Sequence, residues 1–220
     1  MSKNGKFIVL EGLDGCGKST QMNLLCDRLI KEGRDFKRIK LPNYGTPSAD
    51  VVKQYLGGGF KDITPYASSL LYTVDRIASY EGGWTKEYKA GVPIIADRYT
   101  QSNVIFQMTK LPKSEWDKYI SWLVNLEFEI CRLPEPDEVI FLDMPVEVSQ
   151  KLMSQRYNGD ESKKDIHEAD IDFLVKCREA ALYAAERLGW KVIHCANGGE
   201  PMSIEHIHEK VYEVVSGVFK

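Results

Sequence analysis

The stretch EGLDGCGKST, residues 11–20, carries G-x-x-x-x-G-K-[ST] in full from Gly12 to Ser19. Residues of these types at this spacing can hold a chain of phosphates. Glycines at 12, 15 and 17 let the backbone curl until successive N–H groups, that of Cys16 among them, turn inward toward phosphate oxygens. A helix starting near Lys18 adds its positive end, where the amides of Lys18, Ser19 and Thr20 lack intrahelical acceptors. Lys18 would reach the β and γ phosphates of a nucleotide, and the Ser19 hydroxyl would ligate Mg²⁺. Asp14 has two readings: it accepts a hydrogen bond from the sugar of a second ligand, or it is a plain turn residue. Cys16 reads as a tolerated small residue in preference to a redox centre.

A second group stands at Asp97-Arg98-Tyr99, where a short apolar strand ends. An aspartate at the carboxyl end of a parallel strand lies beside the crevice in which α/β sheets bind ligands. Asp97 could hold Mg²⁺ through water or orient an acceptor phosphate, and Arg98 offers a planar, permanently charged fork for phosphate. A strand-end ion pair between the two is the plainer alternative. Tyr72 and Arg76 are four residues apart, so on a helix they share a face and can address one flat ring. The competing arrangement is a core tyrosine with a surface arginine.

These residues need a scaffold, and the hydrophobic pattern supplies one. Apolar runs at 6–11, 36–41, 92–97, 138–143 and 191–195 read as strands, the second stopped by Pro42. Helical spacing follows the first, with Met22, Leu25, Cys26, Leu29 and Ile30 on one face and Gly33 at the C-cap position. Further helices are predicted at 48–56, 65–81, 99–108, 114–131, 146–155, 168–188 and 203–217. Strands alternating with helices give an α/β fold: a five-stranded parallel sheet with helices on both faces, three layers in all.

The 220 residues suit a single domain, and 43% hydrophobic with 28% charged residues is globular composition. A net charge of −3 without a basic tail argues against nucleic acid or a membrane surface as partner. No apolar run approaches the roughly 18 residues of a membrane span. The opening MSKNGKFIVLEG turns polar too quickly for a secretory signal. Five cysteines, with no C-x-x-C pair, point to reduced thiols in a cytoplasm and away from disulfides or structural zinc.

FIVLEGLDGCGKSTQ, LLYTVDRIASY (70–80), IIADRYTQSNVIFQ (94–107), DEVIFLD (137–143) and CANGGEPMSIEHIHEKV (195–211) together resemble the thymidylate kinase family of nucleoside monophosphate kinases. The resemblance implies the P-loop NTPase fold as one kinase domain over 1–220, and ATP-dependent phosphorylation of dTMP to dTDP with Mg²⁺. It implies ATP and dTMP as partners and a homodimer, toward which Ile105, Trp122, Leu123, Leu126 and Phe128 offer apolar surface. It also implies roles. Tyr72 would stack on the thymine and Arg76 would hydrogen-bond its edge. Ser102 and Asn103 would complete the polar contacts, Phe106 would crowd the sugar 2′ position, and Asp14 would contact the acceptor sugar.

Two motifs depart from the family pattern. Its F-P-x-R is here Leu41-Pro42-Asn43-Tyr44, so either Arg98 grips the acceptor phosphate with another group, such as Lys40 or Lys53, or the acceptor lacks a phosphate. The position after Asp14, an arginine in some members, is Gly15. The cation over the transferring phosphoryl is then expected from a lid at about 153–168, with Arg156 first and Lys163 and Lys164 behind it. Two other readings remain open at this stage. One is a deoxynucleoside kinase or a kinase for another pyrimidine monophosphate, the former needing Asp97 or Glu11 as base. The other is a binding module without turnover.

Overall fold

FIVLEG becomes β1 (Phe7–Gly12), buried along its whole length, as befits a parallel strand paired on both edges. The glycine loop and α1 (Lys18–Lys31) follow. The chain continues through β2 (Lys37–Lys40), α2 (Pro47–Leu56), α3 (Pro65–Ser79), α4 (Thr85–Lys89), β3 (Ile94–Asp97), α5 (Gln101–Phe106) and α6 (Trp116–Val124). It ends with β4 (Glu138–Asp143), α7 (Val146–Arg156), α8 (Ile171–Leu188), β5 (Lys191–His194), β6 (Ala196–Asn197), β7 (Glu200–Pro201) and α9 (Ile204–Val218). This computed structural model describes residues 4–60, 62–156 and 170–219, the side chains of Gln155 and Arg156 excepted.

The five long strands form a parallel sheet in the order β2-β3-β1-β4-β5, with helices around it. β2 and β3 pair with Lys40 opposite Asp97, and β4 and β5 pair with Asp143 opposite His194. Two compact units make up the chain. One comprises Met1–Val9 and Asp35–Asp137; the other comprises Leu10–Arg34 and Glu138–Lys220. Among the described residues no helix is long and apolar enough to cross a membrane.

Local chemistry explains the boundaries. Thr64 caps α3 by accepting the Ala67 N–H at 3.1 Å, with Pro65 at the first helical position. Asp170 caps α8 through the Phe173 N–H at 2.9 Å, and Ser203 caps α9 through the His206 N–H at 3.2 Å. α1 closes at Gly33 (φ 68°), where the Arg34 N–H reaches back to the Leu29 carbonyl at 2.9 Å.

Several expectations need correction. Ile30 does not join the buried face of α1; it is 65% exposed. Gln21 is buried there instead, its amide donating to the Ile204 carbonyl at 2.9 Å. The helix predicted at 65–81 passes after Ser79 into a π-helical turn, Tyr80–Trp84. The wider turn seats Trp84 in the core against Phe7 and Tyr80, with ring centroids 5.1 and 4.7 Å apart. The helix predicted at 114–131 is a 3₁₀ turn (Lys113–Glu115), α6 and a second π-helical turn (Asn125–Ile130). Ile105 and Leu123 are fully buried, so both belong to this chain's own core. The hairpin β6–β7, turned by Gly198 and Gly199, was not predicted, because strands of two residues show no alternation.

Candidate active site

The phosphate loop belongs to the second unit. Gly15 and Gly17 sit at φ 76° and 85°, in the left-handed region that suits glycine. Gly15 is constrained twice, because a Cβ there would lie 2.8 Å from the Met153 side chain of α7. A side chain at this position would therefore have to displace Met153. At Gly12 a Cβ would lie 2.5 Å from the Cys16 sulfur and 3.3 Å from the Leu142 carbonyl oxygen, so the loop hugs the end of β4. Cys16 is buried, and its sulfur fills that space. Gly17 is the N-cap of α1, and no side chain caps the helix there. The helix N-terminus thus opens at the loop, where its dipole favours an anion. Lys18 is buried, Ser19 and Thr20 are exposed, and Asp14 is half-buried.

The same unit holds a second charged group. Asp143, buried at the end of β4, accepts two hydrogen bonds from Arg178, Nε at 2.6 Å and Nη2 at 2.9 Å. His194 Nδ1 lies 2.9 Å from Asp143 Oδ2, the oxygen that also accepts Arg178 Nη2. Burial pushes the Asp143 carboxyl up, but the bonds from Arg178 and His194 outweigh burial and hold it below the ordinary carboxylate value. The Asp143 carbonyl accepts the Cys195 N–H at 2.8 Å, which anchors the start of the β6–β7 hairpin. Burial, with Cys16 and Asp143 nearby, pushes the Cys195 thiol up to about 12, so it stays protonated. Glu11 is wholly buried at the end of β1.

The first unit brings most of the acceptor-side residues together. Arg98 has φ 72°, unusual for a residue with a side chain. Its guanidinium lies 5.0 Å over the Phe106 ring. Tyr72 is half-buried and meets Tyr55 edge-on, with centroids 6.1 Å apart. Burial raises the Tyr72 phenol well above its ordinary value; Tyr55 and Tyr44 push the same way, and Arg98 and Arg76 oppose them. Ser102 is half-buried; Asn103 is buried, and its amide donates to the Ser69 carbonyl at 3.3 Å. Asp97 is 1% exposed. Lys53 forms an exposed ion pair with Asp50 at 3.0 Å, and Lys40 is exposed.

Arg76 is not the surface arginine of the plainer reading; it is 3% exposed and paired with Glu127 at 0%. Burial disfavours its charge, and Glu127 more than restores it. Sequence reasoning missed Glu127, yet a clue existed. Trp116, Tyr119, Ile120, Leu123 and Glu127 recur at helical spacing, and all are buried, so a carboxylate occupies a core position. Asp75 was missed as well. It accepts the Asn43 N–H and the Ser48 hydroxyl, each at 2.8 Å, and so fastens the turn after β2 to α3. Arg156 ends α7 and its side chain lies outside the described residues, as do Lys163 and Lys164.

Among the described residues no cluster of three or more His, Cys, Asp or Glu could hold a metal ion. Mg²⁺ does not require one. It keeps several waters and takes most of its protein-side charge from substrate phosphates, so one exposed hydroxyl beside the loop, that of Ser19, fits it.

A phosphate loop between a buried strand and its helix, in a five-stranded parallel sheet, defines a P-loop nucleotide-binding protein. Residues 10–211 match the sequence profile of the family described as Thymidylate kinase. A probable thymidylate kinase of Pyrobaculum aerophilum is 30% identical over 95% of this chain and 97% of its own length. The thymidylate kinase of a Sulfurihydrogenibium species is 32% identical over 83% of this chain and 84% of its own. The structure of the thymidylate kinase from Candida albicans covers 99% of this chain and 93% of its own with a TM-score of 0.73, a likeness of fold at 22% identity. The chain belongs to the thymidylate kinase family. It is a phosphotransferase, and the family reaction is ATP-dependent phosphorylation of dTMP to dTDP.

Proposed function

We propose that the chain moves the γ-phosphoryl group of ATP onto the phosphate of dTMP, acting as one kinase domain. Arg98 carries this reading: a strained, half-buried guanidinium over Phe106 and close to Tyr72 is a phosphate anchor beside an aromatic platform. Gly12, Gly15, Cys16, Gly17 and Thr20 cradle the ATP phosphates through backbone amides, and Lys18 neutralises the β and γ oxygens. Tyr72 stacks on the base and Phe106 excludes a 2′-hydroxyl. Arg76, Ser102 and Asn103 address the base, and Asp14 the sugar. Ser19 and Asp97 would be the residues to hold Mg²⁺, which would supply charge neutralisation for the nucleotide phosphates. The acceptor phosphate is already a nucleophile, so no strong general base is needed. Arg98 holds it, and Arg156 supplies the lid cation over the transferring group. The reading extends to a homodimer in the cytoplasm.

Initial rates with dTMP, dUMP, thymidine and no acceptor test the proposal. Rates are expected in the order dTMP above dUMP, with thymidine at background. Turnover with thymidine alone would overturn it and make Asp97 or Glu11 the base to examine. Sedimentation tests the dimer: a single species near twice 25.0 kDa is expected, and a monomer at micromolar concentration contradicts it.

A further inference from the structure

Glu127 is wholly buried, yet its carboxylate accepts hydrogen bonds from side chains of the acceptor side. Its Oε2 accepts Arg76 Nε at 2.8 Å and the Thr100 hydroxyl; its Oε1 accepts the Thr73 hydroxyl at 2.7 Å and Arg76 Nη2. Thr73 follows Tyr72 on α3, and Thr100 stands two residues after Arg98. One carboxylate thus joins the helix that carries the aromatic platform to the segment that carries the phosphate anchor. A well-packed apolar pair could replace a buried ion pair without loss of stability, so stability alone does not account for it.

The Arg76 geometry is selective. A guanidinium has five N–H donors in a rigid fork. Glu127 takes the Nε–Nη2 side, and Thr73 adds a longer contact to Nη2 at 3.4 Å. Among the described residues, the remaining nitrogen, Nη1, makes one long contact, to the Tyr99 carbonyl at 3.4 Å. The fork is therefore fixed in one orientation with its Nη1 edge the least engaged.

We propose that Glu127 is a positioning residue that sets base selectivity: it turns Arg76 so that Nη1 donates to a carbonyl oxygen on the acceptor base. The inference rests on the acceptor reading above and deepens it. A base presenting an amino group at that edge meets donor against donor and is rejected. The favoured acceptors are keto pyrimidines, and the disfavoured one is the amino pyrimidine.

Glu127→Gln tests this, because it keeps the shape and replaces one acceptor oxygen with a donor facing Arg76 or a threonine. The KM for dTMP is expected to rise about tenfold, with kcat changed less than about threefold and KM for ATP unchanged. The preference for dTMP over dCMP in kcat/KM is expected to fall about tenfold. A lower melting temperature with both preference and KM intact would reduce Glu127 to a structural role and overturn the proposal. Should that variant fail to fold, Thr100→Val decides: it removes one hydroxyl donor, and KM for dTMP should rise about threefold. An unchanged KM overturns the proposal. If the wild-type chain does not turn over dTMP, the catalytic reading fails separately. Titration of dTMP and dCMP into both proteins, followed by tryptophan fluorescence, then still judges Glu127, and equal preference in the two overturns it.

Discussion

Arg98 occupies the left-handed region, which costs a residue with a side chain about 1 kcal/mol. A stacked cation over Phe106 returns a similar amount, about 0.5–1 kcal/mol. Arg98→Gly therefore removes a cost and a gain together. Its unfolding free energy should stay within about 1 kcal/mol of wild type, while kcat/KM for dTMP falls about 100-fold or more. Equal losses in denaturation and kinetics would contradict a functional role for the strain. At Gly15 the opposite holds. Gly15→Ala pushes a methyl into Met153 and strains the loop, so KM for ATP should rise and the melting temperature drop by several degrees. Residue-level legibility divides along the same line. Gly12 to Ser19 were readable because the motif is contiguous. Glu127 and Arg178 were not, because their partners lie 51 and 35 residues away and no local pattern joins them.

Among the elements, the turn after β2 depends on one side chain of α3. Asp75 is buried and holds both Asn43 and Ser48. Asp75→Ala leaves those donors without their acceptor and should cost about 2 kcal/mol in urea unfolding, with a raised KM for dTMP and an unchanged KM for ATP. An unchanged acceptor KM would detach this turn from substrate binding. The positions of β1 to β5 were legible to within two residues, because each is a short apolar run bounded by glycine, proline or charge. The two π-helical turns were not. Residues 80–84 and 125–130 keep helical composition, and what widens them is tertiary: Trp84 enters an aromatic cluster, and Glu127 reaches Arg76.

At the scale of the whole molecule, acid stability should track Asp143. Its carboxyl is held below the ordinary value, so its stabilisation is present above the unfolded pKa, about 3.9, and is lost as pH falls through the lower folded value. Arg178→Met removes the bidentate partner of a buried carboxylate. Since Arg178 is about one-third exposed, the loss at pH 7 should be about 2 kcal/mol rather than the full cost of breaking a buried pair. The gap between variant and wild type should narrow as pH falls through the lowered folded value, because Asp143 then becomes protonated in both. A gap independent of pH would mean that Arg178 acts through packing alone.

The central claim is phosphoryl transfer from ATP to dTMP at the loop that contains Lys18. The most direct test is coupled ADP release with ATP, Mg²⁺ and dTMP, with dTDP quantified in the same samples, for wild type and Lys18→Ala. The account predicts one dTDP for each ADP in the wild type and a fall of about 1,000-fold or more in the variant, with the fold intact by circular dichroism. ADP release without dTDP, or a variant as active as the wild type, would contradict it.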